Sequence, residues 1–404
     1  MTSRKFKRFR RLQSFIGFIL LFFLLGMSFA YAMFQGGFVS WFIFYSFLPF
    51  ALYSLFLLAY PLQAFKVKRI ISSRTLKAGE TITIEMILNR KFPFPLLFLV
   101  VEDIVPATIH ADRHKQIIFP GFKRNIKLKY PMKVSRGEHT WQGFRLMTGD
   151  ILGILKKERW QDNQQTILVY PPFEELIYKP LERRFEHGGA VNPMQFQKDT
   201  SLVSGVRQYQ PGDRFSWIDW KASARTNAMM SKEFEVRRTN DLMIVLDRMN
   251  SVHFETAVQF AASLVKTILQ HGGQVGFFSA GKEVTYIPIR GEDAQEKEIF
   301  LHLAKVIPDS TTHLVNRMTK EFSLYKQPAV VVVITTSIDM PLLDGLNGEQ
   351  RRKGGIVVYN IKKRGTPVSQ EEVQYSSLAN QRGIVVKTLY EGQFRSAFLE
   401  VLQA

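Results

Sequence analysis

Between Gln208 and Thr226 the chain reads QYQPGDRFSWIDWKASART, nineteen residues that hold two aspartates, two tryptophans, two arginines and a lysine around a Pro-Gly pair. Pro211-Gly212 joins a fixed φ to a residue tolerant of positive φ, which suits a tight turn presenting Asp213. In an extended chain Asp219 and Lys221 would share one face and Trp220 the other. Ser223 is the candidate nucleophile, but no histidine stands near it in sequence to orient and deprotonate it. Two readings remain for Arg207, Tyr209, Asp213, Asp219, Trp220, Lys221 and Arg225. In one, the tryptophans pack beneath a neighbouring sheet while the charged residues pair and dock a linker. In the other, the set is a recognition patch, since Trp, Tyr and Arg dominate binding hot spots.

Other chemistries are thinner. The chain has no cysteine, so disulfides, thiolate metal sites and cysteine nucleophiles are excluded. His253, His271, His302 and His313 lack metal-ligand spacing, and there is no Walker loop or Rossmann glycine fingerprint. Arg183-Arg184 and Arg351-Arg352-Lys353 read as solvated charge runs.

The elements that must position these residues are organised from the N-terminus by charge. Net charge is +19, yet residues 1–79 carry eleven basic side chains and no acidic one, leaving 43 basic against 35 acidic residues in the rest. From Leu12 to Ala64 no residue is charged, and two apolar runs, 14–34 and 38–60, are each long enough to cross a bilayer core of about 30 Å. Only Gln35-Gly36-Gly37 separates them, while arginines and lysines flank both outer ends, so the positive-inside rule predicts a two-pass hairpin with both termini in the cytoplasm. Ala30-Tyr31-Ala32 imitates a signal-peptide cleavage site, but the apolar run is longer than a signal core and a second span follows it. The reading is an uncleaved anchor over 1–64. Pro49 is expected to kink the second span.

Beyond the anchor, Thr81 to Leu88 and Asn125 to Val134 alternate apolar and polar residues as half-buried strands do, and Pro131 assigns the second to a sheet edge. Strands of this kind predict a small antiparallel β-sandwich over 65–171. Residues 172–206 hold no sustained period and read as a linker, followed by the motif segment 207–240. Asp241 to Asp247 and Ala329 to Thr335 are continuous apolar runs, as in strands buried on both faces. They alternate with helical periods at Phe254 to Gln270 and Gln295 to Val306, which predicts a doubly wound α/β domain over 241–404.

The run from Gly205 to Asp213, followed by Ile218-Asp219-Trp220-Lys221-Ala222-Ser223-Ala224-Arg225, resembles the signature of the bacterial family known as domain of unknown function fifty-eight. Ser135-Arg136-Gly137-Glu138, Gly149-Asp150-Ile151-Leu152-Gly153 and Val169-Tyr170-Pro171 are similar to the end of that family's β region. Arg214 and Trp217 depart from the family pattern, which often has an acid and an arginine there. The resemblance implies a von Willebrand factor A-like C-terminal domain. In that fold a D-x-S-x-S run and a loop threonine hold magnesium through hard oxygen ligands. The corresponding residues are Asp247, Ser251 and Thr311 (or Thr312), with Met249 in place of the middle serine, a soft donor that magnesium does not favour. A degenerate site is the expectation.

The expected function is that of a membrane-anchored adaptor in the bacterial inner membrane, not an enzyme, with a cytosolic body that binds other proteins. The resemblance implies a MoxR-type AAA ATPase and transglutaminase-like membrane proteins as partners, in assembly or maturation of envelope complexes. The alternative is a membrane-tethered enzyme acting on cell-envelope precursors, which requires a convergent acid, base and pocket. Nucleic-acid binding rests on charge alone, and membrane orientation already accounts for that charge.

Overall fold

The computed structural model describes residues 3–72, 76–106, 109, 114–179, 198–210, 213–236, 241–291, 293–322, 330–353 and 355–399. The chain divides into two compact units, Met1–Tyr170 and Pro171–Ala404.

The first unit begins with two long helices, α1 (Ser3–Gln35) and α2 (Phe38–Ala59). The reversal between them needs Gly36, whose φ of +62° lies in the left-handed region that side chains avoid. Windows Ile16–Gln35 and Phe38–Ala59 are long and apolar enough to span a bilayer, and each is only 17% buried within the protein, unlike the core helix of a globular domain. Pro49 lies inside α2, which continues through it.

The chain then enters β1 (Phe65–Ile71), β2 (Leu76–Lys77), β3 (Thr81–Arg90), β4 (Leu99–Asp103), β5 (His114–Ile118), β6 (Asn125–Lys133), β7 (Gly137–Gly149) and β8 (Lys156–Tyr170). They form a three-stranded sheet in the order β1-β3-β6 and a five-stranded sheet in the order β2-β8-β7-β4-β5, the pairs being antiparallel except β2 with β8. One core of buried side chains lies between them, with Phe65, Ile84 and Tyr130 from the first sheet and Val101, Trp141 and Phe144 from the second. Alternation dictates this: β3 buries Ile82, Ile84, Met86 and Leu88 and turns the residues between them outward. As Pro131 requires, β6 is an edge strand.

The second unit carries β9 (Lys198–Gln208), α3 (Trp220–Thr226) and β10 (Met230–Val236), with β9 and β10 paired antiparallel. After it come β11 (Asp241–Asp247), α4 (Phe254–Gln270), β12 (Gln274–Ala280), β13 (Val284–Arg290), α5 (Asp293–Lys305), α6 (Leu314–Phe322), β14 (Val330–Thr335), α7 (Met340–Lys353), β15 (Ile356–Lys362), α8 (Gln370–Gln381) and β16 (Val385–Tyr390). Six strands make one sheet in the order β13-β12-β11-β14-β15-β16, parallel except for β13, which returns antiparallel at one edge. Every residue of β14 and β15 is buried, as a sheet covered on both faces requires. On one face α6, α7 and α8 supply Leu314, Met318, Leu343 and Ala379 to the core.

The expected linker is the main departure. Residues 171–179 lie along the second unit, where Leu176 is buried, Glu174 N donates to Ser263 Oγ (2.9 Å) and Ile177 N donates to Arg395 O (3.0 Å). Residues 198–206 belong to β9, whose pairing with β10 is nonlocal and leaves no periodic trace in a short polar stretch. Residues 180–197 lie outside the described ones.

Candidate functional site

The motif segment is the connection of the β9–β10 hairpin, and its hydrogen bonds show what each polar residue does. Tyr209 N donates to Met229 O (2.8 Å) and Asp219 N to Met230 O (2.9 Å), so the loop is laced to the second strand at two points. Arg207 Nη2 donates to Asp213 Oδ1 at 2.7 Å, while Asp213 Oδ2 accepts from Gln210 N at 3.1 Å. Asp213 thus closes the turn across Pro211-Gly212, a pair that lies outside the described residues.

Asp219 is the N-cap of α3, so the extended case that would set it and Lys221 on one face does not apply. Its Oδ1 accepts from Ala222 N at 3.0 Å, satisfying one of the amides a helix start leaves open. The helix ends at Asn227, whose φ of +54° is the only positive value of a non-glycine among the described residues; Asn is one of the few types that takes it readily. Ser223 Oγ donates to Asp219 O (2.8 Å) and accepts from Met230 N (2.9 Å), a structural use of both its hydrogen and a lone pair. As a nucleophile it is poorly placed.

Trp220 does not pack beneath a sheet: it is 68% exposed, and Phe215 is 73% exposed, while Trp217 is half-buried with the Arg214 guanidinium 5.5 Å from its ring centre. Lys221 and Arg225 are also exposed, on the same short helix as Trp220. Of the residues singled out in sequence, Arg207, Tyr209, Asp213 and Asp219 shape the loop. Trp220, Lys221 and Arg225 are displayed by it. Phe215 belongs with the displayed residues and was missed, because an isolated aromatic carries no signal of exposure in sequence.

No hydrogen bond joins the candidate metal residues Asp247, Ser251 and Thr311 to one another. Asp247, at the C-terminal end of β11, is 6% exposed; its Oδ2 contacts Thr335 Oγ1 at 2.9 Å and its Oδ1 accepts from Met249 N at 3.1 Å. Burial pushes its carboxyl up, opposed by those two hydrogen bonds; Asp339 adds to the rise and His313 lessens it. Ser251 Oγ accepts from His253 N (3.2 Å), and Thr311 is exposed. Arg248, the next residue in the chain, pairs with Asp309 at 2.7 Å and donates to Ile307 O and Glu283 O. Among the described residues no three His, Cys, Asp or Glu side chains gather in a way that could hold an ion, and both Asp247 oxygens already accept hydrogen bonds.

Residues 205–400 match the family described as "Protein of unknown function DUF58". The chain is 36% identical over 384 residues to "Uncharacterized protein YeaD" of Bacillus subtilis (strain 168), an alignment spanning 93% of this chain and 95% of that one. Solved structures give only faint likenesses. BslA, a bacterial hydrophobin, has a TM-score of 0.17 at 14% identity over 24% of this chain and 96% of its own. A CARDB domain from Pyrococcus furiosus has 0.19 at 11% identity over 26% and 91%. The family match over residues 205–400 and the near full-length likeness to the Bacillus protein place the chain in the DUF58 family.

Proposed function

We propose that the protein is a membrane-anchored adaptor whose β9–β10 connection is a protein-recognition surface. The observation that carries the reading is the division of labour within the motif. Asp213, Asp219 and Ser223 are spent on the loop's own amides and carbonyls, while Phe215 and Trp220 stand in solvent, Trp220 on the same helix as the exposed Lys221 and Arg225. Exposed aromatics with cations are what binding hot spots are made of, and holding Trp220, Lys221 and Arg225 on a capped helix lowers the ordering cost of association. The same division argues against the catalytic alternative, because the candidate acid, base and nucleophile are already committed to structure.

In this reading α1 and α2 cross the bacterial inner membrane, and the basic flanks keep both termini and both folded units in the cytoplasm. A MoxR-type AAA ATPase and a transglutaminase-like membrane protein are the proposed partners. We assign the six-stranded unit to the von Willebrand factor A-like class without a functional magnesium site, a reading supported by its reversal of strand order at β11, its antiparallel edge and Asp247 at the end of β11. Capture of proteins by the detergent-solubilised full chain tests the proposal. Trp220→Ala with Phe215→Ala is expected to lower capture of a MoxR-type ATPase roughly tenfold or more. Unchanged capture by the folded double variant overturns the recognition surface.

A further inference from the structure

Strand register places the connections 91–98, 119–124 and 150–155 at one end of the two-sheet body, the end where α2 passes into β1. Phe65 pairs with Arg90, Asn89 with Asn125, Leu99 with Ile118, and Gly149 with Lys156. These three connections expose Phe92 (53%), Leu97 (39%), Phe119 (78%), Phe122 (68%), Ile151 (56%) and Leu152 (40%). Connections at the opposite end expose no large apolar side chain among the described residues. The charges at the helix end are also one-sided. Lys91, Lys123 and Arg124 are exposed, whereas the one acid in these connections, Asp150, is 4% exposed and accepts from Ser54 Oγ (3.0 Å) and Leu155 N (3.0 Å).

The loops are held in place. Buried Arg90 donates to Lys123 O, Phe94 O and Gly121 O, tying two of them together, and the turn at Gly121 requires its φ of +50°. Tyr60 Oη donates to Phe92 O (3.0 Å), Tyr53 Oη donates to Pro95 O (3.2 Å), and the third loop lies against Gly17 of α1 through Ile154. Height follows from helix geometry. From Phe38 to Tyr53 is about 24 Å at 1.5 Å per residue, less than the roughly 30 Å of a bilayer's hydrocarbon. A span that begins at Phe38 therefore has the Tyr53 level, and the loops bonded to it, at or inside the hydrocarbon boundary.

We propose that these three loops form a collar seated in the membrane interface, with the aromatic and aliphatic side chains among the acyl carbons and Lys91, Lys123 and Arg124 at anionic lipid headgroups. Continuity with the two apolar helices, the basic rim and the apolar-to-polar contrast between the two ends all name the bilayer as occupant. The inference rests on the anchor reading above and is separable from it. The absence of native cysteine allows single-site labelling. Full-length Phe122→Cys, Ile151→Cys, Ser135→Cys (opposite end) and Ser46→Cys (within α2), each carrying an environment-sensitive fluorophore, are reconstituted into phosphatidylethanolamine–phosphatidylglycerol vesicles. Nitroxide-labelled lipid and aqueous iodide serve as quenchers. Labels at 122 and 151 are expected to be quenched by the lipid several-fold more than the label at 135, and to be shielded from iodide. If they behave as 135 does while 46 is quenched, the collar is overturned and the anchor stands. If 46 itself escapes the lipid quencher, both fall.

Discussion

Asp219 and Trp220 are neighbours with opposite duties, and substitution separates them. Asp219→Ala removes the cap of α3 and is expected to cost about 1 kcal/mol, with Asp219→Asn recovering most of it. Trp220→Ala, on an exposed side chain, is expected to shift stability by no more than about 0.5 kcal/mol. Chemical denaturation of the solubilised chain checks both. Asp247 makes a pH prediction. With its folded pKa raised by burial, the native state keeps a proton over a range where the unfolded chain has released it, so its contribution is full below the ordinary aspartate value and is lost as pH climbs through the folded value. Asp247→Asn is expected to flatten that decline, seen as a Tm difference that moves in the variant's favour from acid to neutral pH. At this scale sequence was a partial guide. The cap was there to be read, an aspartate three residues before the amide it accepts from, but sequence assigns faces to Asp219, Trp220 and Lys221 only for an extended chain, since seven residues are too few for helical periodicity to show.

Elements with long apolar signals were legible, and those joined by distant contacts were not. The apolar runs of α1, α2, β11 and β14 announce themselves, and α4 carries an amphipathic period over its whole length. Nothing local announces β9, whose partner is β10; β13 is legible as a strand in Val284 to Ile289, but nothing local says that it runs antiparallel. The end of α2 is the clearest case of a hidden contact. Lys157 Nζ donates to Leu57 O, Leu58 O and Tyr60 O, and Arg159 Nη1 to Leu62 O and Phe65 O, across nearly a hundred residues. A cation at a helix C-terminus meets both the open carbonyls and the negative end of the dipole. Lys157→Met would strand partly buried acceptors at about 1–3 kcal/mol each. The expected outcome is faster amide exchange from Leu57 to Phe65, with the β14 and β15 amides of the other unit unchanged.

At the scale of the whole molecule, the proposed two-pass topology predicts that a tag fused after Ala404 stays protected from protease added outside intact cells. Digestion of that tag in sealed cells would reverse the assignment of sides. The expectation comes from composition, because charge sorting around apolar spans is written residue by residue. Which end of the β-rich body lies nearest the spans was not readable, since that depends on strand register. The grip of Lys157 on the last turn of α2, and of Arg159 on the residues that follow it, has a mechanical corollary. With the helix keyed to its β-sheets rather than hung from them by slack chain, a tilt or roll imposed on the helix within its host layer turns that whole body as one piece. Crowding or thinning of the layer would then reach the sheets as torque.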